Sequence, residues 1–453
     1  MLKKTVTQIK SKDCIIEIFG LGYVGFPLTI RLANSGFHVI GIDTDVDKIK
    51  RYENQKLLGT ELVLLDKLKK SISEKTIQFK TDSLEYSNPK IGMICVPTPI
   101  ASKDIGSDFY VEKAVKSFLN TSKKGDVIIL ESSIQAGTTE KIRGIIESHG
   151  YTVGDDFGLC FCPERIDPLN KKWKLENIPR IIYCSDDYSF EISKIIYQHI
   201  NNSKLTRVSS SLVAEMVKSF ENAFRLVNIS LVNELAVLCG KLNVDVNEII
   251  SAASTKPFGF TPFYPGPGVG GHCIPKDPIF LLESAEKTGF EFKTIQSALD
   301  ANHVLPKFIV EDIENHLEEL KAEKSIIVCG LAYKPDIEDM RDSPGFKLIK
   351  EFSRKGFHVL AYDPFYRPEL ESKYRIENDI QDTIEIIEKL DDDSIKNSSC
   401  MCIVQNHTID KDRLQEIYDK GLVKLIYDCR QDIVKNDKSD TQIRYLGGNS
   451  ETK

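Results

Sequence analysis

The feature that most restricts how this chain can fold is a pattern that occurs twice. Cys14-Ile15-Ile16-Glu17-Ile18-Phe19-Gly20 leads into a helical pattern and then Gly36-Phe37-His38-Val39-Ile40-Gly41-Ile42-Asp43. Ser325-Ile326-Ile327-Val328-Cys329-Gly330 leads into another, and then Gly356-Phe357-His358-Val359-Leu360-Ala361-Tyr362-Asp363. Each reads as a buried strand, a tight turn, a helix and a second buried strand ending in an acid, the opening βαβ unit of a doubly wound sheet. The repeated Gly-Phe-His-Val argues against coincidence. The expected fold class is α/β, with two Rossmann-type doubly wound domains joined by a long central helix.

That helix is expected at 211–242, a stretch without Pro and without Gly before Gly240. Some 30 helical residues span roughly 45 Å. The apolar residues Leu212, Val213, Met216, Val217, Phe220, Phe224, Leu226, Val227 and Leu231 exceed one narrow stripe, so the helix reads as a spine buried against both domains or a second subunit. The implied division is 1–208 for a dinucleotide domain, 209–305 for a central helical, dimer-forming region, and 306–453 for a second Rossmann-like domain. A chain of 453 residues is too long for one core, which agrees.

Bulk chemistry narrows the function classes. A formal charge of -7 speaks against nucleic acid or an anionic membrane as partner, while 60 Lys and Arg leave room for a local basic pocket. The first residues lack the apolar core of a signal peptide, and no window is expected to reach the length of a membrane span. Eleven cysteines without such a signal suit a reducing compartment, so the expected location is cytoplasmic. Cys160/Cys162 and Cys400/Cys402 have strand spacing; without a C-x-x-C pair, and with only 8 His, no metal site is expected.

Gly20-x-Gly22-x-x-Gly25 follows a predicted strand and opens a helix. Glycines there allow a tight turn and close approach of a pyrophosphate, and the helix N-terminus supplies donors. Asp43 ends the next strand, where an acid can bind a ribose 2′-hydroxyl and repel a 2′-phosphate; NAD is therefore expected over NADP. The C-terminal copy lacks the triplet. Its turn-to-acid distance is ten residues longer (Gly330 to Asp363 against Gly20 to Asp43), and the added loop holds Lys334, Asp336, Asp339, Arg341 and Asp342. A different phosphorylated ligand is expected there. The polar clusters Pro97-Thr98-Pro99 and Glu131-Ser132-Ser133 follow the strand candidates 91–96 and 126–130, on the ligand side of such a sheet.

The least regular stretch, Phe263-Tyr264-Pro265-Gly266-Pro267-Gly268-Val269-Gly270-Gly271-His272-Cys273-Ile274-Pro275-Lys276-Asp277, must be a loop whose NH groups can face a ligand. Cys273 sits there beside His272 and Lys276, cationic neighbours that favour a thiolate, and reads as a nucleophile. Lys218 and Asn222 share one helix face at i, i+4. Glu164, in Pro163-Glu164-Arg165, is a candidate base, with a salt bridge to Arg165 as the plainer reading.

Together these residues resemble the nucleotide-sugar 6-dehydrogenases of the UDP-glucose and GDP-mannose dehydrogenase family. The resemblance runs from Gly-x-Gly-Tyr-Val-Gly at 20–25 through Val-Pro-Thr-Pro at 96–99, Glu-Ser-Ser at 131–133 and Pro-Glu-Arg at 163–165. It continues through Lys218 with Asn222, Gly-Gly-His-Cys at 270–273, and Lys334 with Arg341. The wording at 255–268 looks most like the branch acting on UDP-N-acetylhexosamines, with UDP-N-acetylglucosamine the expected substrate and the galacto and manno isomers or UDP-glucose the alternatives.

The resemblance implies a four-electron oxidation at C6, using two NAD and a thiohemiacetal and thioester on Cys273, in surface-polysaccharide precursor synthesis. It implies that Lys218 and Asn222 stabilise an oxyanion, that Asp277 orders water with Lys218, and that Glu164 is the base for thioester hydrolysis. The implied cofactor contacts are Gly20, Gly22, Tyr23, Val24, Gly25, Asp43, Lys48, Pro97, Thr98, Ser133, Lys276 and Arg341. The implied substrate contacts are Glu164, Arg165, Lys218, Asn222, Phe263, Tyr264, Pro265, Gly266, Gly270 and Lys334. A homodimer or higher homo-oligomer is expected. Two departures from the family pattern are Pro168, where UDP-glucose enzymes carry a second Glu, and Lys256, where many relatives carry an Arg. A UDP-sugar epimerase would need a Tyr-x-x-x-Lys pair near the fold's expected site and would leave the cysteine loop unexplained, and a redox-sensing NAD-binding regulator would require a vestigial Cys273 pocket and a solvent-facing Lys218/Asn222 pair.

Overall fold

The computed structural model describes residues 1–99, 108–166, 170, 172–201, 204–271, 273–380, 384–437 and 439–448. It divides into two compact units: Met1–Glu221 with Glu283–Thr288, and Asn222–Leu282 with Gly289–Lys453.

The first unit is built on β1 (Ile15–Phe19), β2 (His38–Ile42), β3 (Ile77–Lys80), β4 (Lys90–Ile94), β5 (Val127–Leu130), β6 (Gly158–Phe161), β7 (Arg180–Cys184) and β8 (Leu205–Arg207). They form one sheet in the order β3-β2-β1-β4-β5-β6-β7-β8. The strands are apolar on both faces because helices cover both, as a parallel sheet requires; β4, β5 and β6 are buried at every residue. The parallel pattern breaks at β7, which pairs antiparallel with β6 through Cys160↔Cys184 and Phe161↔Tyr183 and parallel with β8, so these two strands run against the other six. At the amino ends of the strands, buried Glu17 meets Lys90 at 3.4 Å, and Lys90 also donates to Ser83, Thr121 and the Leu84 carbonyl.

The second unit holds β9 (Ser325–Cys329), β10 (His358–Tyr362), β11 (Glu385–Ile386), β12 (Cys400–Ile403), β13 (Leu425–Asp428) and β14 (Gln442–Tyr445), all parallel, in the order β11-β10-β9-β12-β13-β14. Counted from each unit's first strand, both sheets run 3-2-1-4-5-6, the doubly wound order. The α/β fold with two Rossmann-type sheets is thus the one the duplicated pattern implied.

The expected spine is a helix of 32 residues, Ser211–Leu242. Ser210 caps its start by accepting from Val213 N at 3.3 Å. It ends in a Schellman turn: Asn243 takes φ +55°, Val244 N donates to Cys239 O at 3.0 Å and Asn243 N to Gly240 O at 3.4 Å. Near its start, Glu215 accepts from Gly137 N, Thr139 N and the Thr139 hydroxyl, a carboxylate at the N-terminus of helix Thr138–Ser148.

One expectation needs correcting here. The helix is long enough, and with an 18-residue stretch of mean hydropathy 1.4 apolar enough, to cross a membrane by length and composition. Its charges crowd at Glu215, Lys218, Glu221 and Arg225, leaving only Glu234 and Lys241 in 226–242. Its polar groups nonetheless bond to protein, as on a core helix: buried Ser230 donates to Ala298 O at 2.8 Å, and buried Asn233 accepts from Gly266 N at 2.9 Å.

Candidate active site

In the first unit, the turn after β1 is shaped by backbone contacts that only glycine allows. Gly20 has φ +87°, and a Cβ there would lie 2.8 Å from Cys95 O; a Cβ on Gly25 would lie 2.0 Å from Gly20 O. Gly22 is exposed and faces open space, so its backbone is accessible to a ligand. Helix Gly25–Asn34 starts at this turn, and Val24 at its N-cap makes no side-chain cap bond. Tyr23 beside it is exposed. These groups fit the pyrophosphate of a dinucleotide.

Asp43 stands where a ribose acid belongs, and it is already engaged. It accepts from Leu21 N at 2.9 Å, Asp45 N at 3.0 Å and Lys48 Nζ at 2.8 Å. Burial alone would raise its pKa, but these partners and the Lys48 charge bring the carboxyl below its ordinary value. Thr98 is buried and Pro97 exposed beyond β4, with Ser133 half-buried beyond β5. Ser132 ties the two strand ends, its hydroxyl donating to Val96 O at 2.7 Å.

Glu164 follows β6 and is buried. Its Oε1 accepts from Arg165 N at 2.6 Å and Ile166 N at 2.8 Å, and its Oε2 pairs with Arg180. The salt bridge of the plainer reading therefore forms with Arg180 and not with Arg165. Arg165 instead grips Glu221, with Nε to Oε2 at 3.1 Å, and donates to Pro179 O at 2.9 Å.

In the second unit, Cys273 is exposed, while nine of the other ten cysteines are buried and Cys95 is intermediate. Burial pushes the Cys14 and Cys162 thiols up to about 12, so they are unsuited to nucleophilic work. The Cys273 carbonyl accepts from Asp277 N at 2.9 Å, which sets the residue one turn ahead of helix Asp277–Glu286, at an end that favours negative charge. Asp277 is fully buried and accepts from Asn222 Nδ2 at 2.6 Å, so this carboxylate orients the Asn222 amide. Lys276 is buried with its ammonium 5.2 Å from the Phe280 ring centroid. Lys218, one turn before Asn222 on the same helix but within the first unit, is half-buried. His272 and Pro168 lie outside the described residues.

The glycine loop is docked on the extra loop of the second Rossmann copy. A Cβ on Gly270 would lie 2.5 Å from Asp342 O and 3.0 Å from Tyr333 Cβ; one on Gly271 (φ +79°) would lie 2.8 Å from the Tyr333 ring. Gly271 N donates to Arg341 O at 2.9 Å. Arg341 is clamped by Asp339, Nε to Oδ1 at 2.9 Å, and Lys334 is half-buried on the same loop. Leu331 N and Ala332 N bind Asp363, which fixes the loop's start. Further back, Gly266 N is held by Asn233, and Phe263 packs on Phe224 with centroids 5.9 Å apart. Tyr264 is exposed and Pro265 half-buried.

Sequence reasoning missed three participants, Arg180, Arg430 and Gly345, and gave Glu131 no partner. Arg180 and Glu131 share the buried cluster with Glu164, yet lie far from it in the chain. Arg430 places its guanidinium against Gly266, where a Cβ would come 2.6 Å from Nη1, and its Nε donates to Val404 O at 3.0 Å. The third is Gly345, whose Cβ would lie 2.5 Å from Gly330 O as that of Gly25 would from Gly20 O. The pair is the same in both copies, with ten more residues between its members in the second, 331–344 against 21–24; the sequence signal was a glycine beside Pro344 at a helix start.

Sequence models of the UDP-glucose/GDP-mannose dehydrogenase family match the chain in order: the NAD binding domain at 14–201, the central domain at 212–304 and the UDP binding domain at 327–435. The UDP-N-acetyl-D-mannosamine dehydrogenase of Methanococcus vannielii is 34% identical over 457 residues, covering 98% of this chain and 99% of that one. The UDP-N-acetyl-D-glucosamine 6-dehydrogenase of Pseudomonas aeruginosa is 29% identical over 363 residues, covering 79% and 84%. Among solved structures, a UDP-D-ManNAc dehydrogenase from Pyrococcus horikoshii superposes with a TM-score of 0.83 at 30% identity, covering 96% of this chain and 100% of that one.

Proposed function

This chain belongs to the UDP-glucose/GDP-mannose dehydrogenase family of NAD-dependent nucleotide-sugar oxidoreductases, and we propose that it oxidises a UDP-N-acetylhexosamine at C6 to the uronate through a thioester on Cys273. The observation that carries this reading is the single exposed cysteine, held in a glycine loop that packs on the loop bearing Lys334. NAD supplies the hydride acceptor for both oxidations.

The sugar's C6 alcohol becomes an aldehyde, and the Cys273 thiolate adds to it. The resulting thiohemiacetal is oxidised to a thioester, and water releases the carboxylate and restores the thiol. A covalent intermediate keeps the aldehyde from escaping between oxidations. Lys218 and the Asn222 amide, which Asp277 orients, stabilise negative charge on the C6 oxygen. Glu164 serves the hydrolytic step. Lys334, Arg430 and the backbone at 263–266 and 270 hold the UDP-sugar.

The manno isomer is the first substrate to test, since the relative matching over nearly the full chain is named for it. The gluco isomer, expected from the 255–268 wording, stands second and is supported by the named Pseudomonas relative. The test is NADH formed per sugar consumed, with UDP-N-acetylmannosamine, its gluco and galacto isomers and UDP-glucose in parallel. Two NADH per sugar with one N-acetylhexosamine is expected; turnover of UDP-glucose alone would overturn the substrate class, and one NADH per sugar would overturn the thioester.

The long helix carries a stripe of exposed apolar residues: Leu212, Met216, Phe220, Phe224, Leu231, Leu238 and Leu242. Such a stripe favours a homodimer formed on this helix.

A further inference from the structure

The Glu164 cluster owes its geometry to β7, the strand that pairs antiparallel with β6 in the first sheet. The register Cys160↔Cys184 and Phe161↔Tyr183, continued outward, sets Glu164 directly opposite Arg180. Because side chains alternate along a strand, Cys160, Cys162 and Glu164 share a face with Cys184, Ile182 and Arg180. The pairing is seen directly: Arg180 Nη2 meets Glu164 Oε2, and Cys162 Sγ accepts from Arg180 Nη1 at 3.7 Å.

Arg180 also binds Glu131 with both carboxylate oxygens, at 3.0 and 2.8 Å, and Tyr197 OH donates to Glu131. Arg180 and Glu131 are each at most 2% exposed. Glu131 and Glu164 follow the carboxyl ends of β5 and β6, the ligand side of a doubly wound sheet. A further buried ion pair of this unit, Lys90 with Glu17, lies toward the amino ends and has no such position. Burial alone would favour a neutral guanidine, but Glu131 holds Arg180 charged. A fork of that kind sets direction as well as charge, which a point cation cannot do.

We propose that Arg180 is a positioning residue for thioester hydrolysis: anchored on Glu131, it fixes the Glu164 carboxylate in the orientation that serves the attacking water. This rests on the assignment of Glu164 to the hydrolytic step. The two oxidations precede that step and do not need the pair, so loss of Arg180 separates them from hydrolysis.

The experiment compares Arg180→Met, Arg180→Lys, Glu164→Gln and the double variant Arg180→Met/Glu164→Gln. UDP-N-acetylmannosamine and NAD are the substrates, with rapid-quench NADH measurement and intact mass of the protein. Expected for Arg180→Met is a burst approaching two NADH per Cys273, then steady turnover slowed about 100-fold, with the acyl adduct visible by mass. Arg180→Lys keeps the charge and recovers part of the rate, and the double variant is no slower than Glu164→Gln alone. Equal slowing of burst and steady state in Arg180→Lys, or multiplicative losses in the double variant, overturns the proposal. If Arg180→Met does not fold, Arg180→Lys alone decides: wild-type hydrolysis, or loss without adduct, overturns it. An adduct in Glu164→Gln but in neither Arg180 variant overturns this inference only, whereas no adduct in Glu164→Gln overturns the Glu164 assignment and this inference with it.

Discussion

Asp43 is not a bare anion at the cofactor turn, because Lys48 sits 2.8 Å from it and neutralises part of its field. With Asp43 as the proposed ribose acid, removing it does two things at once: it deletes an acceptor for the ribose hydroxyl, and it frees a cation where a 2′-phosphate would sit. Asp43→Ala should therefore lower the NAD-over-NADP preference in kcat/KM by about 10- to 100-fold, measured with both cofactors at saturating sugar. Lys48→Ala leaves Asp43 unneutralised and should move the preference the other way; an unchanged ratio in both would remove the pair from the ribose site. Cys273→Ser should abolish uronate formation with NAD affinity intact, read by NADH stoichiometry and cofactor titration; retained four-electron turnover would exclude the nucleophile. What the chain told of these residues depended on distance along it. Asp43 and the glycine turn lie within one βαβ unit, where spacing reports geometry. Arg180 reaches Glu164 across 16 residues through a strand reversal, so adjacency pointed to Arg165 instead.

At the level of elements, the duplicated βαβ pattern and the Ser211–Leu242 helix were legible because each is a long, uninterrupted periodicity. The docking of one loop on another was not, since nothing in the composition of 331–344 says which surface it meets. Gly270 and Gly271 were read as backbone open to a ligand. In the fold they admit the close approach of Tyr333 and Asp342, and Gly271 N bonds to Arg341 O. Gly270→Ala must push these loops apart, which costs about 1–3 kcal/mol of overpacking and displaces the segment before Cys273. Thermal unfolding should show the lower stability, and the kcat for the sugar should fall more than NAD affinity; equal loss of both would mean general misfolding. On the long helix, Phe220 and Leu231 are each 61% exposed. Phe220→Asp with Leu231→Asp should convert a dimer to monomer in sedimentation while leaving helicity unchanged; an unaltered mass would place any interface elsewhere.

Across the whole molecule, the two Rossmann sheets have the same strand order and different turns, and this difference separates their tasks. The first copy keeps a short glycine turn for a dinucleotide, and the second spreads the equivalent glycine pair, Gly330 and Gly345, around a loop that supports the cysteine segment. Polar groups buried at the carboxyl ends of the first sheet serve ligand chemistry in this reading, while those at the amino ends serve only the fold. Asp126 belongs to the latter. It accepts from Lys90 N at 2.8 Å and Lys123 N at 2.9 Å, yet burial outweighs these bonds and pushes its carboxyl up to about 6. Between the unfolded value near 3.8 and about 6 the folded chain binds more protons at this site than the unfolded one, so its ionisation subtracts stability as pH rises through that window. Asp126→Asn keeps an acceptor for one of the two NH groups and cannot ionise. The stability of the wild type relative to this variant should fall by about 2 kcal/mol from pH 4 to 6.5 and stay level above that. Denaturant unfolding at pH 4, 5, 6 and 7 measures the difference; a gap that widens in the opposite direction would mean that the hydrogen bonds, and not burial, govern this carboxylate.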